Sequence, residues 1–318
     1  AEIGGDGALL KDADNNIVHV NFIEKILVTS LAKLSNFVPE AGIWMNTQRP
    51  EWNDANNALV GSGVSMVTLY YLRRFFSFFQ TVFKDLEDAQ TFELSEEVHQ
   101  LFHQIETVFD SNKKLLDKSI SDKDRKAIVD NLGKYAGDFR TKIYEQKFSG
   151  KKEPIEATDL KSFIDDALEF LEHSILANKR DDNLYHAYNL LTFKDDKLSV
   201  SYLEEMLEGQ VAVLSSKYLK PEDAVDVLDG LKQSALFRED QYSYLLYPNK
   251  DLKGFLKRNN ISESSVKTSK LLQKLVEDEH VGIIEKDVEG DYHFNGNFNN
   301  AKKLKEALLA LEDEPYKY

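Results

Sequence analysis

The chain has 318 residues, of which 42% are hydrophobic, and its formal net charge is −15. That hydrophobic fraction supports a buried core, and the negative charge disfavours nucleic acid as a partner because phosphates would be repelled. The absence of cysteine excludes disulfides, thiol catalysis and thiolate metal sites.

The most apolar run, residues 70–83, is interrupted by Arg73, Arg74 and Gln80. It is also shorter than the ~20 residues that a membrane-spanning helix requires. We therefore expect a soluble protein with no membrane partner. No signal sequence is recognisable, which favours a cytoplasmic over a secreted location.

Helical periodicity dominates the chain. Apolar residues recur at helical spacing from residue 21 onward, and capping residues such as Ser95, Ser121 and Pro221 mark several helix starts. The pattern predicts helices over residues 21–37, 64–86, 95–109, 121–146, 159–178, 202–218, 262–279 and 300–311, with a further helix opening at 221.

Besides a possible short strand at residues 16–20, strand signals occur in two short hairpins. The first covers residues 191–202, with a turn at 194–197, and the second covers residues 282–294, with a turn at Glu289 and Gly290. The chain lacks the alternation of strands and helices that would predict a parallel sheet. The predicted fold class is therefore mainly α with two small β-hairpins, and the predicted domains are residues 1–258, which are helical, and a small α+β extension at 259–318.

One polar stretch, residues 44–63, fits neither an amphipathic helix nor an alternating strand. It contains both tryptophans, Trp44 and Trp52, together with four asparagines and the carboxyl groups of Glu51 and Asp54. Cleavage of a glycosidic bond needs a carboxyl group that protonates the leaving oxygen, with aromatic rings and amides around it to hold the sugar. The same residue types also suit a polar helix start, so both interpretations stay open.

The Trp52-Asn53-Asp54 motif, followed by a long apolar helix, resembles the catalytic loop of the cellobiose and chitobiose phosphorylases. The resemblance implies helical hairpins of the (α/α)6 toroid type, complete or incomplete. It also implies that Asp54 is the general acid of an inverting enzyme. The substrate-binding residues expected in this loop are Trp44, Arg49, Glu51, Trp52, Asn53 and Asn57.

A second segment, from Glu208 through Gln210 to Ser216, is similar to a later stretch of that family in which a glutamine enters the site. The resemblance therefore implies that Gln210 binds the ligand. His186, which lies between aromatic residues, is the candidate for a phosphate ligand. Tyr242 is a further candidate for contact with the sugar.

The reaction itself stays open between hydrolysis and phosphorolysis. A hydrolase would need a base to activate water, and Glu208 and Asp240 are the candidates. A phosphorylase would use inorganic phosphate as its co-substrate, and no other cofactor is expected. No metal site is expected either, since His99 and His103 have metal-ligand spacing without a third ligand near them in the sequence.

The expected partner is an oligosaccharide or glycoside substrate. In the resembling enzymes much of the toroid precedes the acid loop, so we expect this chain to be the C-terminal part of a larger catalytic protein and to associate with its N-terminal remainder. The alternative function is a non-catalytic, all-α interaction or structural module.

Overall fold

The computed structural model describes residues 10–12, 15–45, 59, 61–249, 252, 254 and 259–311. The chain divides into two compact units, Ala1–Asn249 and Lys250–Tyr318. The described residues of each unit contain a hydrophobic core. The predicted domain boundary after residue 258 stays a prediction.

Three helices of the first unit begin where the sequence predicts a helix start. Asn21 and Ser121 each accept a hydrogen bond from the backbone of the first turn, and Pro221 occupies the first position of its helix. The α-helices in the described part of this unit are α1 (Phe22–Leu34), α2 (Met66–Phe83), α3 (Glu96–Asn112), α4 (Asp122–Gln146), α5 (Ala157–Ala177), α6 (Leu207–Ser215) and α7 (Pro221–Gln233).

A five-stranded antiparallel sheet lies at the centre of this unit. Its strands, in spatial order, are β1 (Phe37–Val38), β2 (Gly42–Trp44), β3 (Gly63–Ser65), β6 (Tyr188–Lys194) and β7 (Lys197–Tyr202). Two further pairs join β4 (Thr91–Ser95) to β5 (Lys152–Glu156) and β8 (Phe237–Arg238) to β9 (Ser243–Tyr244).

The predicted fold class is wrong. A mainly α fold of helical hairpins, of the (α/α) toroid type with two small β-hairpins, does not contain the five-stranded sheet found here. The first predicted hairpin is confirmed as β6–β7, but it is only two-fifths of that sheet. The remaining strands, β1 to β3, are two or three residues long, which is too short for an alternating pattern to appear.

The two faces of the sheet pack against different cores. Val64, Leu191 and Leu198 belong to a small cluster that includes Val129 of α4. Phe37 and other side chains of the opposite face join the large helical core. This arrangement follows from strand geometry, because successive side chains of a strand point to opposite faces.

A buried ion pair fastens the β1–β2 turn to α4. The Arg125 guanidinium donates to the Glu40 carboxylate at 2.5 Å, and both residues are about 5% exposed or less. Its other N–H groups donate to the carbonyl oxygens of Pro39, Ile120 and Leu198 and to the carboxylate of Asp122, so that all five donors have acceptors.

The same turn is tied to α5 and to β6. Glu40 adopts a positive φ of 60°, its backbone N–H donates to Ser174 Oγ, and its carbonyl accepts from the Asn178 amide. Asn189 of β6 donates to the Ala41 carbonyl and to Asn178 Oδ1. These contacts hold a backbone conformation that a glutamate rarely adopts.

In its described residues, 252, 254 and 259–311, the second unit combines a small sheet with three helices. Its strands β10 (Asn260–Ile261), β12 (Tyr292–Phe294) and β11 (Ile284–Lys286) are antiparallel in that order. The second predicted hairpin is thereby confirmed as β11–β12. The helices of this unit are α8 (Glu263–Thr268), α9 (Lys270–Glu277) and α10 (Ala301–Leu309).

Among the residues that the structure describes, no helix is both long enough and apolar enough to cross a membrane.

Arg125→Ala tests the ion pair. We expect it to lower the free energy of unfolding by about 3–5 kcal/mol, because Glu40 would be left buried without its counter-charge. Lys123→Ala is the matched control, since Lys123 also joins α4 to the sheet, at Asp196, but its side chain is 72% exposed. That change should cost about 0–1 kcal/mol. Equal losses in urea denaturation of the two variants would contradict this role for Arg125.

Candidate functional site

The predicted acid loop connects β2 to β3. The predictions for Arg49, Glu51, Trp52, Asn53, Asp54 and Asn57 lie outside the described residues. The ends of the loop are described, and hydrogen bonds hold them together. The Met45 N–H donates to the Gly63 carbonyl at 3.0 Å, and the Leu191 N–H donates to the Ser62 carbonyl at 2.7 Å. The loop therefore starts and ends on adjacent strands of the central sheet.

Trp44 lies at the start of this loop. Its indole stacks on Phe193 of β6, with ring centroids 5.3 Å apart, and its Nε1–H donates to the Gly61 carbonyl at 3.3 Å. A hydrogen-bonded indole in an aromatic contact has a defined orientation. Trp44 is thus fixed against both ends of the loop, and its predicted role in sugar binding stays a prediction.

Glycine is required where the loop returns to the sheet. A Cβ atom added to Gly63 would lie 2.4 Å from the Leu59 Cβ and 2.6 Å from the Leu59 carbonyl oxygen. Contacts of that length do not occur between real atoms, so a side chain at position 63 would displace the end of the loop.

Gln210 of α6 is completely buried and bonds to the backbone that precedes β6. Its Oε1 accepts from the Tyr185 N–H at 2.8 Å, and its Nε2 donates to the carbonyls of Tyr185 and Met206 at 2.7 and 2.9 Å. Both amide protons are therefore used inside the protein. The predicted ligand role of Gln210 stays a prediction, and the geometry gives it a structural role in positioning residues 185–188.

Glu208 contacts the same segment from the preceding turn of α6. Its Oε2 accepts a hydrogen bond from the Tyr188 hydroxyl at 2.8 Å. Between these two residues, Gly209 packs so closely on Ala187 that an added Cβ would lie 2.9 Å from the Ala187 Cβ. The Glu208-Gly209-Gln210 run therefore docks α6 onto residues 185–188.

His186 lies on this docked segment. Its ring stacks on Tyr202 of β7, with centroids 4.5 Å apart, and its Nδ1–H donates to the Leu203 carbonyl at 3.1 Å. Burial, followed by the positive charge of Arg180, lowers the pKa of His186. The ring is consequently neutral at pH 7, which weakens its attraction for a phosphate.

Arg180 and Tyr202 line an open cavity of about 420 Å³ with His186. The Arg180 guanidinium donates to both carboxylate oxygens of Asp182 and to Glu205 at 3.2 Å. The hydrogen bond to Asp182 raises the pKa of Arg180. Because two carboxylates already engage it, this arginine is a weak ligand for an additional anion.

The structure therefore brings Glu208, Gln210 and His186 together at the start of β6. It does not bring Trp44 to them, because Trp44 contacts Phe193 near the other end of that strand. Phe193 is seven positions after His186, a span of ~23 Å in extended chain. The Trp44 ring therefore lies away from His186, although Gly63, at the end of the loop, pairs with Leu190 within β6.

Asp240 and Tyr242 lie in the β8–β9 turn. Asp240 accepts from the Arg238 guanidinium at 2.6 Å, and this hydrogen bond lowers the pKa of Asp240. Tyr242 is 79% exposed, and the Lys232 ammonium lies 3.8 Å from its ring centroid. Their predicted roles as base and sugar contact stay predictions.

The partners of Trp44 and His186 were not predicted from the sequence. Phe193, Tyr202 and Arg180 complete the contacts of Trp44 and His186, yet each occurs in an ordinary strand or turn context. The alternation of residues 188–194 could have placed Phe193 on one face with Leu191. No local pattern brings Trp44 of β2 to Phe193 of β6, because the two residues are more than 120 positions apart in the sequence.

Comparison with known families finds a match within the second unit. Residues 252–318 match the family model described as GH149 phosphorylase insertion domain 2. No curated protein matches the chain. The match relates this segment to glycoside phosphorylases and so supports the coarser part of the predicted resemblance. The particular likeness to cellobiose and chitobiose phosphorylases stays a prediction.

Gln210→Ala tests the docking of α6. We expect a loss of about 1–3 kcal/mol in the free energy of unfolding, because the N–H and carbonyl of Tyr185 would lose a buried partner. The control is Gln233→Ala, a change at an exposed position on α7, which should leave stability within about 0.5 kcal/mol of wild type. A loss at position 210 as small as that of the control would contradict the structural role.

His186 should contribute to the pH dependence of stability. Because its folded-state pKa is lowered, the unfolded chain binds more protons just below the ordinary histidine pKa of about 6.5. Stability should therefore fall as pH decreases below that value, and His186→Asn should reduce the fall between pH 7 and pH 5. The exposed His19 provides the control, as His19→Asn, in thermal melts over the same range.

Proposed function

We propose that this protein is a glycoside phosphorylase that cleaves a glycosidic bond with inversion. The observation that carries the proposal is the match of residues 252–318 to a phosphorylase insertion domain. The Trp52-Asn53-Asp54 motif supports it independently, because it occurs in a different unit and resembles a catalytic loop of enzymes with this chemistry.

In the proposed reaction, Asp54 is the general acid and inorganic phosphate is the nucleophile. A phosphate oxygen forms a bond to the anomeric carbon while the bond from that carbon to the glycosidic oxygen breaks. Asp54 gives its proton to the departing oxygen and recovers one from the bound phosphate. A β-glycoside would therefore yield an α-sugar 1-phosphate and a shortened acceptor.

The hydrogen bonds of the two candidate bases favour phosphorolysis over hydrolysis. A hydrolase needs a carboxylate that is available to deprotonate water. Glu208 is hydrogen-bonded to Tyr188, and Asp240 is paired with Arg238 on the β8–β9 turn. Phosphate attacks as an anion and needs no such base, so the proposed mechanism does not depend on either residue.

Phosphate binding must overcome the overall charge of −15. A local cation is therefore needed beside the acid, and Arg49 is the single lysine or arginine between residues 44 and 63. We assign Arg49 to phosphate and the adjacent Trp52 and Asn53 to the sugar. Trp44, held on Phe193, would form the fixed edge of the same subsite.

A second candidate is a non-catalytic module of a phosphorylase. It is favoured by one observation, that the matching family model describes an insertion domain rather than a catalytic domain. In that case the loop at residues 46–58 would contact another part of the assembly or a sugar without breaking a bond.

Asp54→Asn separates the two candidates. A phosphorylase should lose about 10²–10⁴-fold in phosphate-dependent sugar 1-phosphate formation, because general acid catalysis is removed, while its melting temperature stays unchanged. The assay measures sugar 1-phosphate from β-glucosides with and without phosphate. Asp195→Asn, at an exposed turn residue with φ 53°, is the matched control and should keep full activity.

Equal activity of the Asp54 and Asp195 variants would contradict the assignment of the acid. Sugar release that does not require phosphate would contradict phosphorolysis. A wild-type protein without any activity on glycosides would favour the non-catalytic module.

A further inference from the structure

Two histidine rings meet on one face of α3. His99 and His103 are four residues apart, so a single helical turn places them side by side. Their Nε2 atoms lie 3.2 Å from each other, and the ring centroids are 4.4 Å apart. The His103 side chain is 41% exposed, so the pair is accessible to solvent.

Glu106 fixes the protonation of the second ring. Its Oε2 lies 2.8 Å from His103 Nδ1, and a carboxylate at that distance accepts a proton from this nitrogen. In a neutral imidazole the other nitrogen then carries a lone pair. The lone pair of His103 Nε2 is therefore directed at His99, and the carboxylate–histidine arrangement is the one that orients metal-binding imidazoles.

The spacing of the two nitrogens suits a shared cation. Two ligands at the usual Zn–N distance of 2.0–2.1 Å, in tetrahedral geometry, lie ~3.3 Å apart. The observed 3.2 Å agrees with that value without any movement of the helix. Histidines at i and i+4 of one helix are also the spacing that zinc proteins use.

The surrounding charges favour a cation at this place. Glu153 of β5 and Asp159 of α5 both act on His99 through their negative charge. With Glu106, which lies beside His103, these carboxylates give the pair negatively charged surroundings.

We propose that His99 and His103, supported by Glu106, bind one divalent transition-metal ion of the zinc type. The two Nε2 atoms would be the protein ligands and water would complete the tetrahedron. The described part of the chain has no cluster of three or more ligating side chains, so the site is a two-imidazole site with exchangeable positions. No third ligand lies near the pair in the sequence, but the Glu106 carboxylate and the 3.2 Å spacing of the two Nε2 atoms supply what the sequence pattern lacked.

The test is calorimetric titration of the metal-free protein with Zn²⁺, in parallel with Mg²⁺. We expect one Zn²⁺ per chain and no uptake of Mg²⁺, which prefers oxygen ligands. His99→Gln and His103→Gln should each abolish the Zn²⁺ heat. Glu106→Gln should weaken binding about 10–100-fold, as expected for loss of a second-shell partner.

His19→Gln is the control and should bind Zn²⁺ like the wild type. Thermal melts of all variants without metal establish that they are folded, and added Zn²⁺ should raise the melting temperature of the wild type but not of the His103 variant. Zn²⁺ binding that survives in the double variant of His99 and His103 would overturn the proposal. Absence of binding to the wild-type protein would also overturn it.

Discussion

The first unit depends on the ion pair between Arg125 and Glu40. It joins α4 to the turn between β1 and β2 inside the protein, where an unpaired charge is very costly. The five acceptors of Arg125 come from the turn, from the start of α4 and from β7. One side chain therefore sets the distance between a helix and both edge strands of the central sheet.

The positions of the two predicted site segments follow from this arrangement. The turn at Glu40 joins β1 to β2, β2 pairs with β3, and Asn189 connects the turn to β6. The described end of the predicted acid loop meets the sheet at Gly63, which pairs with Leu190 of β6. The segment that contains His186 comes directly before this strand, whose first residue is Tyr188.

Helices could be predicted from the sequence because their signals are local. Ser121 and Pro221 mark true helix starts, and the apolar spacing of residues 66–83 describes a helix with a buried face. The sheet could not be predicted in the same way, since β1 to β3 are too short to show the alternation of apolar and polar residues that marks a strand. The predicted helix at residues 202–218 begins only at Leu207, because β7 extends to Tyr202.

The roles of buried polar residues were harder to predict from the sequence than the helices. The family resemblance implies that Gln210 binds a ligand, whereas its side-chain amide bonds to the Tyr185 backbone. Arg125 resembles any exposed charge of an amphipathic helix until its five acceptors are known. In both cases most of the partners are backbone groups, and backbone groups leave no trace in a sequence pattern.

The central claim, phosphate-dependent glycosidic chemistry, is tested most directly in the synthetic direction. The measurement is release of inorganic phosphate from α-glucose 1-phosphate in the presence and absence of a β-glucoside acceptor. The account predicts phosphate release only when both are present, with one new glycosidic bond for each phosphate. Phosphate release that does not depend on the acceptor would contradict this claim. Absence of phosphate release with any sugar 1-phosphate would also contradict it.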